Sequence, residues 1–348
     1  MITTGGTGGH VFPGLAVGDY LREAGWRVVW LGSGSGMEAA LVANRGYDMA
    51  TVKFSGVRGK GPAALLLLPL KLIRAFWQSA RAILAKRPDV VLGMGGYMSF
   101  PGGMMAALLA RPLVIHEQNS VAGLANRVLA GVADRALCAF PGALKRAIHT
   151  GNPVRPEIAS IAAPQERYAG RSGPLRILVV GGSLGARALN EIVPPALALL
   201  PGAARPVVTH QSGAQHAEAL KAAYAAAGVQ ASTPAFIEDM AAAYSGADLV
   251  VCRAGATTVA ELAAAGLPSI LVPFPYAVDD HQTANARFLA DAGAAILVPQ
   301  ADLTAERLAG LIAGFDRTRL REMAACARSL GRPDATEAVA RVCMELAR

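Results

Sequence analysis

"MITTGGTGGHVFPGLAVGDYLREAGWRVVWLG", residues 1–32, sets four glycines around Thr7 and closes the turn on His10. A helical stretch, Val11–Ala24, and an apolar strand, Arg27–Leu31, follow at once. A turn without side chains between a strand and a helix lets an anion come close to the free N–H groups of the helix. The same grammar restarts at residues 175–193, "LRILVVGGSLGARALNEIV", where strand, glycine turn and helix succeed one another. Further apolar runs at Val90–Leu92, Leu113–Ile115, Ile177–Val180, Pro206–Thr209, Leu249–Val251 and Ser269–Val272 alternate with helical segments such as Met104–Leu109. Alternation of this kind predicts an α/β chain of parallel sheets with helices on both faces. Two Rossmann-like domains are expected, broken at "GNPVRP", residues 151–156. Ligands of such sheets gather at the strand carboxyl ends, here in a cleft that the two domains would face.

The 348 residues are 53% hydrophobic and 17% charged, enough for two packed cores and unlike a disordered chain. Cys138, Cys252, Cys326 and Cys343 are scattered without a C-x-x-C pair, which fits a reducing compartment and no structural zinc. "MITTGG" carries no basic-then-apolar leader. The net charge of +8 is unevenly spread. Residues 1–155 hold 17 Lys+Arg against 7 Asp+Glu, and residues 156–348 hold 16 against 18. Residues 53–87 contain eight of those cations and no acid. Within them the apolar run Pro62–Leu70 is too short to span a bilayer. Ile73, Phe76, Trp77, Ala80 and Ile83 then recur at helical spacing, with Lys71, Arg74, Gln78 and Arg81 on another face. A basic amphipathic helix beside the apolar loop Leu65–Leu68 suits an anionic membrane surface, reached through Leu65–Arg81. The helix could equally pack on its own sheet. No aromatic-studded basic groove points to nucleic acid.

Neither glycine turn is a P-loop, and neither is G-x-G-x-x-G with an acid about 20 residues on. Each alone could be a plain strand-to-helix turn. "CRAGATTVAELAAAGLPSILVPFP", residues 252–275, adds a helix opening at Gly255–Thr258, whose N–H groups and hydroxyls suit an anion. Glu261 lies one turn in, where a carboxylate could accept ribose hydroxyls. It also stands at capping-box spacing from Thr258. "DDHQTAN", residues 279–285, clusters Asp280, His281, Gln282 and Asn285, amide and carboxylate groups that suit sugar hydroxyls or merely open a helix.

In order along the chain come "GGTGGHVFPGLAV", "GMGGYMSFPGG", "HEQNSVAGLANR", "GNPVRPEI", "GGSLGARALN", "FIEDMAAAY", the residue 252–275 stretch and "DDHQTANA". With these motifs the sequence resembles the MurG family, bacterial N-acetylglucosaminyltransferases that convert lipid I to lipid II in peptidoglycan synthesis. The resemblance runs from Gly5 to the C-terminus and implies the two-domain GT-B fold. Residues 1–155 would form the acceptor domain, with a helix at about 335–348 packing back on it, and 156–334 the donor domain. It implies UDP-N-acetylglucosamine as donor and no cofactor. Backbone at Ile237 would meet the uracil and Glu261 the ribose. Ser183, Ala256, Thr257 and Thr258 would face the diphosphate with Arg155, and Gln282 the sugar with Asn285 nearby. Thr7, Gly8, Gly9 and Asn119 would line the first domain's side, and His10, Tyr97, Glu117 and Asn126 the acceptor's diphosphate and hydroxyl. Only Met1–Thr4 precede the first glycine loop, fewer residues than the family usually carries, so the first strand is short or the start is late.

The implied reaction is attack by the C4 hydroxyl of lipid-linked N-acetylmuramic acid on the anomeric carbon, with inversion, as UDP leaves. A positioned base assists, and the leaving charge needs stabilising. None of the 12 aspartates forms a D-x-D triplet. Metal-independent transfer is therefore expected, with helix N-termini and Arg155 in the ion's place. His10 is the first candidate for the base and Glu117 its rival. The acceptor stays in the bilayer, so a peripheral position on the cytoplasmic face of the inner membrane is expected. Other readings are a lipid galactosyltransferase or natural-product glycosyltransferase of the same fold, a UDP-sugar 2-epimerase and, further off, a dinucleotide-dependent oxidoreductase.

Overall fold

The computed structural model describes residues 1–5, 8–54, 66–182 and 185–347. Thr7, Ser183 and Leu65, each singled out from the sequence, lie outside them. The chain divides into two compact units, one of Met1–Arg155 with Pro333–Arg348 and one of Pro156–Arg332.

Unit 1 runs β1 (Ile2–Thr3), α1 (Gly8–Glu23), β2 (Val29–Gly32), α2 (Gly36–Asn44), β3 (Asp48–Thr51), α3 (Leu68–Lys86), β4 (Val91–Gly93), α4 (Ser99–Leu108), β5 (Leu113–Glu117), α5 (Leu124–Leu129), β6 (Arg135–Cys138) and β7 (Ile148–His149). Its strands form one parallel sheet in the order β3-β2-β1-β4-β5-β6-β7. β1 is two residues long yet central: Ile2 pairs with Trp30 on one side and Leu92 on the other. Because side chains alternate along a strand, the buried runs supply both faces. Leu92 and Val114 join Val11, Leu15 and Val17 of α1 on one face. Val91, Leu113 and Ile115 join Ala75 and Ile83 of α3, Ala106 of α4 and Leu129 of α5 on the other.

Unit 2 runs α6 (Pro156–Ala159), α7 (Pro164–Tyr168), β8 (Arg176–Val180), α8 (Arg187–Ala198), β9 (Val207–Gln211), α9 (Ala217–Ala226), α10 (Met240–Gly246), β10 (Leu249–Cys252), α11 (Ala256–Ala265), β11 (Ser269–Leu271), α12 (His281–Ala290), β12 (Ala295–Leu297), α13 (Ala305–Ala313) and α14 (Arg317–Leu330). Its parallel order is β12-β11-β10-β8-β9 around a core that includes Ile177, Val179, Leu249 and Val251. After it, α15 (Ala335–Leu346) returns to unit 1, where Val339, Ala340 and Cys343 are buried beside α1.

In both sheets the order in which strands are added reverses next to the first strand, between β1 and β4 and between β8 and β10. Such a switch point opens a crevice beyond the strand carboxyl ends. The turns bordering those two crevices are the glycine-bearing ones after β1, β4, β8 and β10. At the first, Gly96 comes so close to Gly5 that a Cβ there would collide with the Gly5 carbonyl.

Candidate active site

In unit 1, α1 begins at Gly8, three residues before the expected Val11. Gly8, Gly9 and His10 are therefore its first turn, where backbone N–H groups have no helical partner. His10 is half-buried, and its Nδ1 lies 2.7 Å from Gln118 Oε1. Glu117, at the end of β5, is buried, and both of its carboxylate oxygens are occupied. Oε1 accepts from the Asn119 backbone N–H at 2.9 Å and from Asn119 Nδ2 at 3.4 Å. Oε2 accepts from Asn126 Nδ2 at 2.8 Å and the Gly123 N–H at 3.2 Å. The carboxylate thus binds the loop between β5 and α5 to the strand end. Burial, and then the Glu117 charge, push the Cys138 thiol up. Tyr97, in the β4–α4 turn, packs edge-on against Phe54 at 5.9 Å. Arg155 closes the unit, half-buried.

Asn126 Oδ1 and both polar atoms of the Asn152 side chain are buried with no protein partner. Unpaired buried polar atoms cost free energy unless water or a ligand completes them. They stand near the end of β5 and in the loop after β7, on the strand carboxyl side.

In unit 2, Gly255 is the N-cap of α11 and no side chain caps that end. The Thr258–Glu261 spacing is therefore not a capping box, since Thr258 lies inside the first turn. Ala256, Thr257 and Thr258 form that turn, and Thr257 Oγ1 is buried without a partner. Glu261, 6% exposed, accepts a 3.1 Å hydrogen bond from Tyr244 Oη of α10. Burial, and then the Glu261 charge, push the Cys252 thiol at the end of β10 up to about 12.

Gln282 and Asn285, one turn apart on α12, converge on Ala254 just ahead of α11. Gln282 Oε1 accepts from the Ala254 N–H at 3.3 Å and the Phe274 N–H at 2.9 Å. Asn285 Nδ2 donates to the Ala254 carbonyl at 3.2 Å. Two backbone donors fix the Gln282 oxygen and turn its NH2 group to other acceptors. Just before α12, Asp279 and Asp280 both adopt left-handed backbone, a strained conformation for residues with a Cβ that is found at functional loops. Ile237 is half-buried in the segment that leads into α10.

The structure therefore gathers the named residues into two sets: Gly8–His10, Glu117, Asn119 and Asn126 in unit 1, and the α11 start, Glu261, Gln282 and Asn285 in unit 2. Three contributors escaped the sequence reading. Tyr244 lies within the quoted "FIEDMAAAY", and His116 and Gln118 within "HEQN". Their roles come from partners distant in sequence. Among the described residues no three His, Cys, Asp or Glu side chains cluster to hold a metal ion.

The helix α3 differs from its expected faces. Ala75, Ser79 and Ile83 are buried, Phe76 packs at a tilt against Phe100 at 5.8 Å, and Ile73 and Trp77 point outward instead. Leu70 (66% exposed), Ile73, Trp77 (61%) and Leu84 make an outward apolar stripe among Lys71, Arg74 and Arg81. The helix thus packs on its sheet and presents a second apolar face as well. Its first residue is Leu68, preceded by exposed Leu66 and Leu67. Among the described residues no helix is long and apolar enough to cross a membrane.

Residues 1–138 match the glycosyltransferase family 28 N-terminal domain, and residues 176–339 match the family 28 C-terminal domain. A protein of Dechloromonas aromatica is 63% identical over 348 residues, covering 100% of this chain and 99% of its own. It is named UDP-N-acetylglucosamine--N-acetylmuramyl-(pentapeptide) pyrophosphoryl-undecaprenol N-acetylglucosamine transferase. The crystal structure of Acinetobacter baumannii MurG matches with a TM-score of 0.88 at 43% identity, over 99% of each chain. The glycotransferase of kitacinnamycin, 18% identical with a TM-score of 0.68 over 98% of this chain and 97% of its own, shares the fold alone. With 63% identity over the whole of this chain and 99% of that relative, the chain belongs to the MurG family of glycosyltransferases.

Proposed function

We propose that the chain transfers N-acetylglucosamine from UDP-N-acetylglucosamine to the C4 hydroxyl of undecaprenyl-diphosphate-linked N-acetylmuramoyl-pentapeptide. This is the step from lipid I to lipid II in peptidoglycan synthesis. The reading is carried by full-length identity to relatives named for that reaction. Incubation with UDP-N-acetylglucosamine and a lipid I analogue tests it: UDP and a disaccharide-linked lipid are expected, and hydrolysis or epimerisation of the donor alone would overturn it.

Unit 2 takes the donor. Backbone at Ile237 meets the uracil, and Glu261, steadied by Tyr244, accepts the ribose hydroxyls. The N–H groups of Ala256–Thr258, the Thr257 hydroxyl and Ser183 receive the diphosphate, where a helix N-terminus favours growing negative charge. The free NH2 end of Gln282 reaches the sugar, and Asn285 holds the α11 start in place.

Unit 1 takes the acceptor. The first turn of α1, with Thr7, Gly8 and Gly9, receives its diphosphate together with Asn119 and Tyr97. Asn126, whose NH2 group is engaged by Glu117 and the His116 carbonyl, offers its unpaired Oδ1 to an acceptor hydroxyl. His10 is the base that draws the proton from the C4 hydroxyl as the anomeric carbon inverts. Glu117, with both oxygens engaged by N–H donors, acts by holding the β5–α5 loop.

Transfer proceeds without a divalent ion: turnover should survive a chelator, and loss restored by Mg²⁺ would refute this. Leu65–Arg81 rests on anionic phospholipid at the cytoplasmic face of the inner membrane, and nucleic acid is not a partner. Each cation near such a surface contributes about 1 kcal/mol.

A further inference from the structure

His10 ends a hydrogen-bond chain whose polarity is fixed atom by atom. Gln118 Nε2 lies 3.1 Å from the His116 carbonyl oxygen, an atom that can only accept. The NH2 end of the amide must therefore face His116, and it also meets His116 Nδ1 at 3.0 Å. That leaves Gln118 Oε1, another pure acceptor, facing His10 Nδ1 at 2.7 Å. Two acceptors cannot share a hydrogen bond, so His10 Nδ1 carries the proton.

The far end agrees. His116 Nε2 lies 2.9 Å from the Gly151 carbonyl, so it donates there and leaves Nδ1 bare for Gln118. Burial draws the His116 ring down to about 4, which keeps it neutral and able to accept near neutrality. The contact also has space reserved for it. Gly95 has a φ of +82°, and a Cβ on it would stand 3.0 Å from His10 Nδ1 and 3.1 Å from Gln118 Oε1.

We infer that Gln118 is a positioning residue that holds His10 in its Nδ1–H tautomer, so that Nε2 is the one ring atom able to take the proton of the acceptor hydroxyl. The inference rests on the reading of His10 as the base. In the step, the O–H bond of the C4 hydroxyl breaks and an N–H bond forms at Nε2. The oxygen's electron pair makes the new bond to the anomeric carbon, and UDP departs with the pair of the old one. The imidazolium then formed donates to Gln118 Oε1 through Nδ1–H, a contact that strengthens as the ring becomes charged. His10 later releases its Nε2 proton to water.

Long-range proton–nitrogen NMR on the full chain with ¹⁵N-histidine, at a pH where the ring is neutral, reads the tautomer directly. The His10 signals, assigned by their loss in His10→Ala, should show a protonated Nδ1 and a bare Nε2. A protonated Nε2 overturns the inference whatever the turnover. Gln118→Leu, with unfolding followed in parallel, should lower kcat about 10- to 100-fold and leave the KM for UDP-N-acetylglucosamine unchanged. Gln118→Glu keeps an acceptor oxygen opposite Nδ1 but turns its other oxygen on the His116 carbonyl and Nδ1, so it should lose stability and still retain the Nδ1–H signal, with kcat per folded molecule above that of Gln118→Leu. Wild-type kcat in a folded Gln118→Leu protein would also overturn it. If the wild-type ring is Nδ1–H and His10→Ala keeps full turnover, the base assignment fails while the tautomer assignment stands.

Discussion

Each unit buries one histidine in a hydrogen-bond chain polarised by a backbone carbonyl, and the two chains end differently. In unit 2, Asn190 Nδ2 donates to the Ser212 carbonyl at 3.0 Å, which turns Asn190 Oδ1 to His210 Nε2 at 3.0 Å. His210 Nδ1 then accepts from Tyr224 Oη at 3.0 Å, inside the core. In unit 1 the equivalent amide, Gln118, joins buried His116 to half-buried His10 at the start of α1. The chemistry is the same and the outlet is not. A chain closed at both ends fixes packing, whereas one opening on a half-buried ring can hand a proton to a ligand.

The sharpest way to break the contrast is to cut each chain at its last ring. His10→Ala should reduce kcat by about 10²- to 10⁴-fold with little change in thermal midpoint. His210→Leu should do the reverse, losing about 1–3 kcal/mol of stability as Asn190 and Tyr224 are left unpaired, with turnover per folded molecule kept. Loss of turnover in the second variant, seen against unfolding curves, would erase the distinction.

Next in size is donor binding in unit 2. Glu261→Gln should raise the KM for UDP-N-acetylglucosamine about tenfold or more, the scale of one hydrogen bond to a charged group. Isothermal titration with UDP checks it, and an unchanged affinity would remove the ribose role.

A smaller effect separates the two histidines from the rest of the protein by pH. Both are held neutral by burial, His116 at about 4 and His210 at about 3, below the ordinary value near 6.5. The unfolded chain takes up protons that the folded chain refuses. Their contribution is therefore complete above about pH 6.5 and is lost as pH falls toward 4 and then 3, at about 1.4 kcal/mol per pH unit for each full proton. In His210→Leu the acid limb of stability against pH should be shallower, which denaturant titrations from pH 7 to 4 would measure.

The smallest effect is at the surface. Arg74→Gln should weaken binding to anionic vesicles about fivefold at low salt and less at 0.15 M, as expected for one screened cation. Equal flotation with neutral vesicles would count against the α3 face.

Much of this was legible in the residues, for physical reasons. Strands buried on both faces, such as β4, β5, β8 and β10, read as continuous apolar runs. Two of the edge strands did not: β3 is the mixed segment Asp48–Thr51, exposed at both ends, and β12 is three residues at the rim of its sheet. α1 starts three residues before its apolar periodicity because glycines give no helical signal, and the contact of His10 with Gln118 ties that first turn to the end of β5. Glu261 could be singled out by spacing, but Tyr244 beneath it could not, since 17 residues separate them. Gln118 lay in a quoted motif and still had no role until the ends of β5 and α1 were brought together.

α15 gives the chain an unusual order of assembly. Unit 2 is contiguous, Pro156–Arg332, so every residue of its core precedes α15 in the order of synthesis. Unit 1, although synthesised first, still lacks Val339, Ala340 and Cys343, which complete the core around Val11 and Leu15. Domains usually mature from the N-terminus onward during translation. Here the segment made first must wait for a later helix, and its α1 face stays uncovered until α15 arrives.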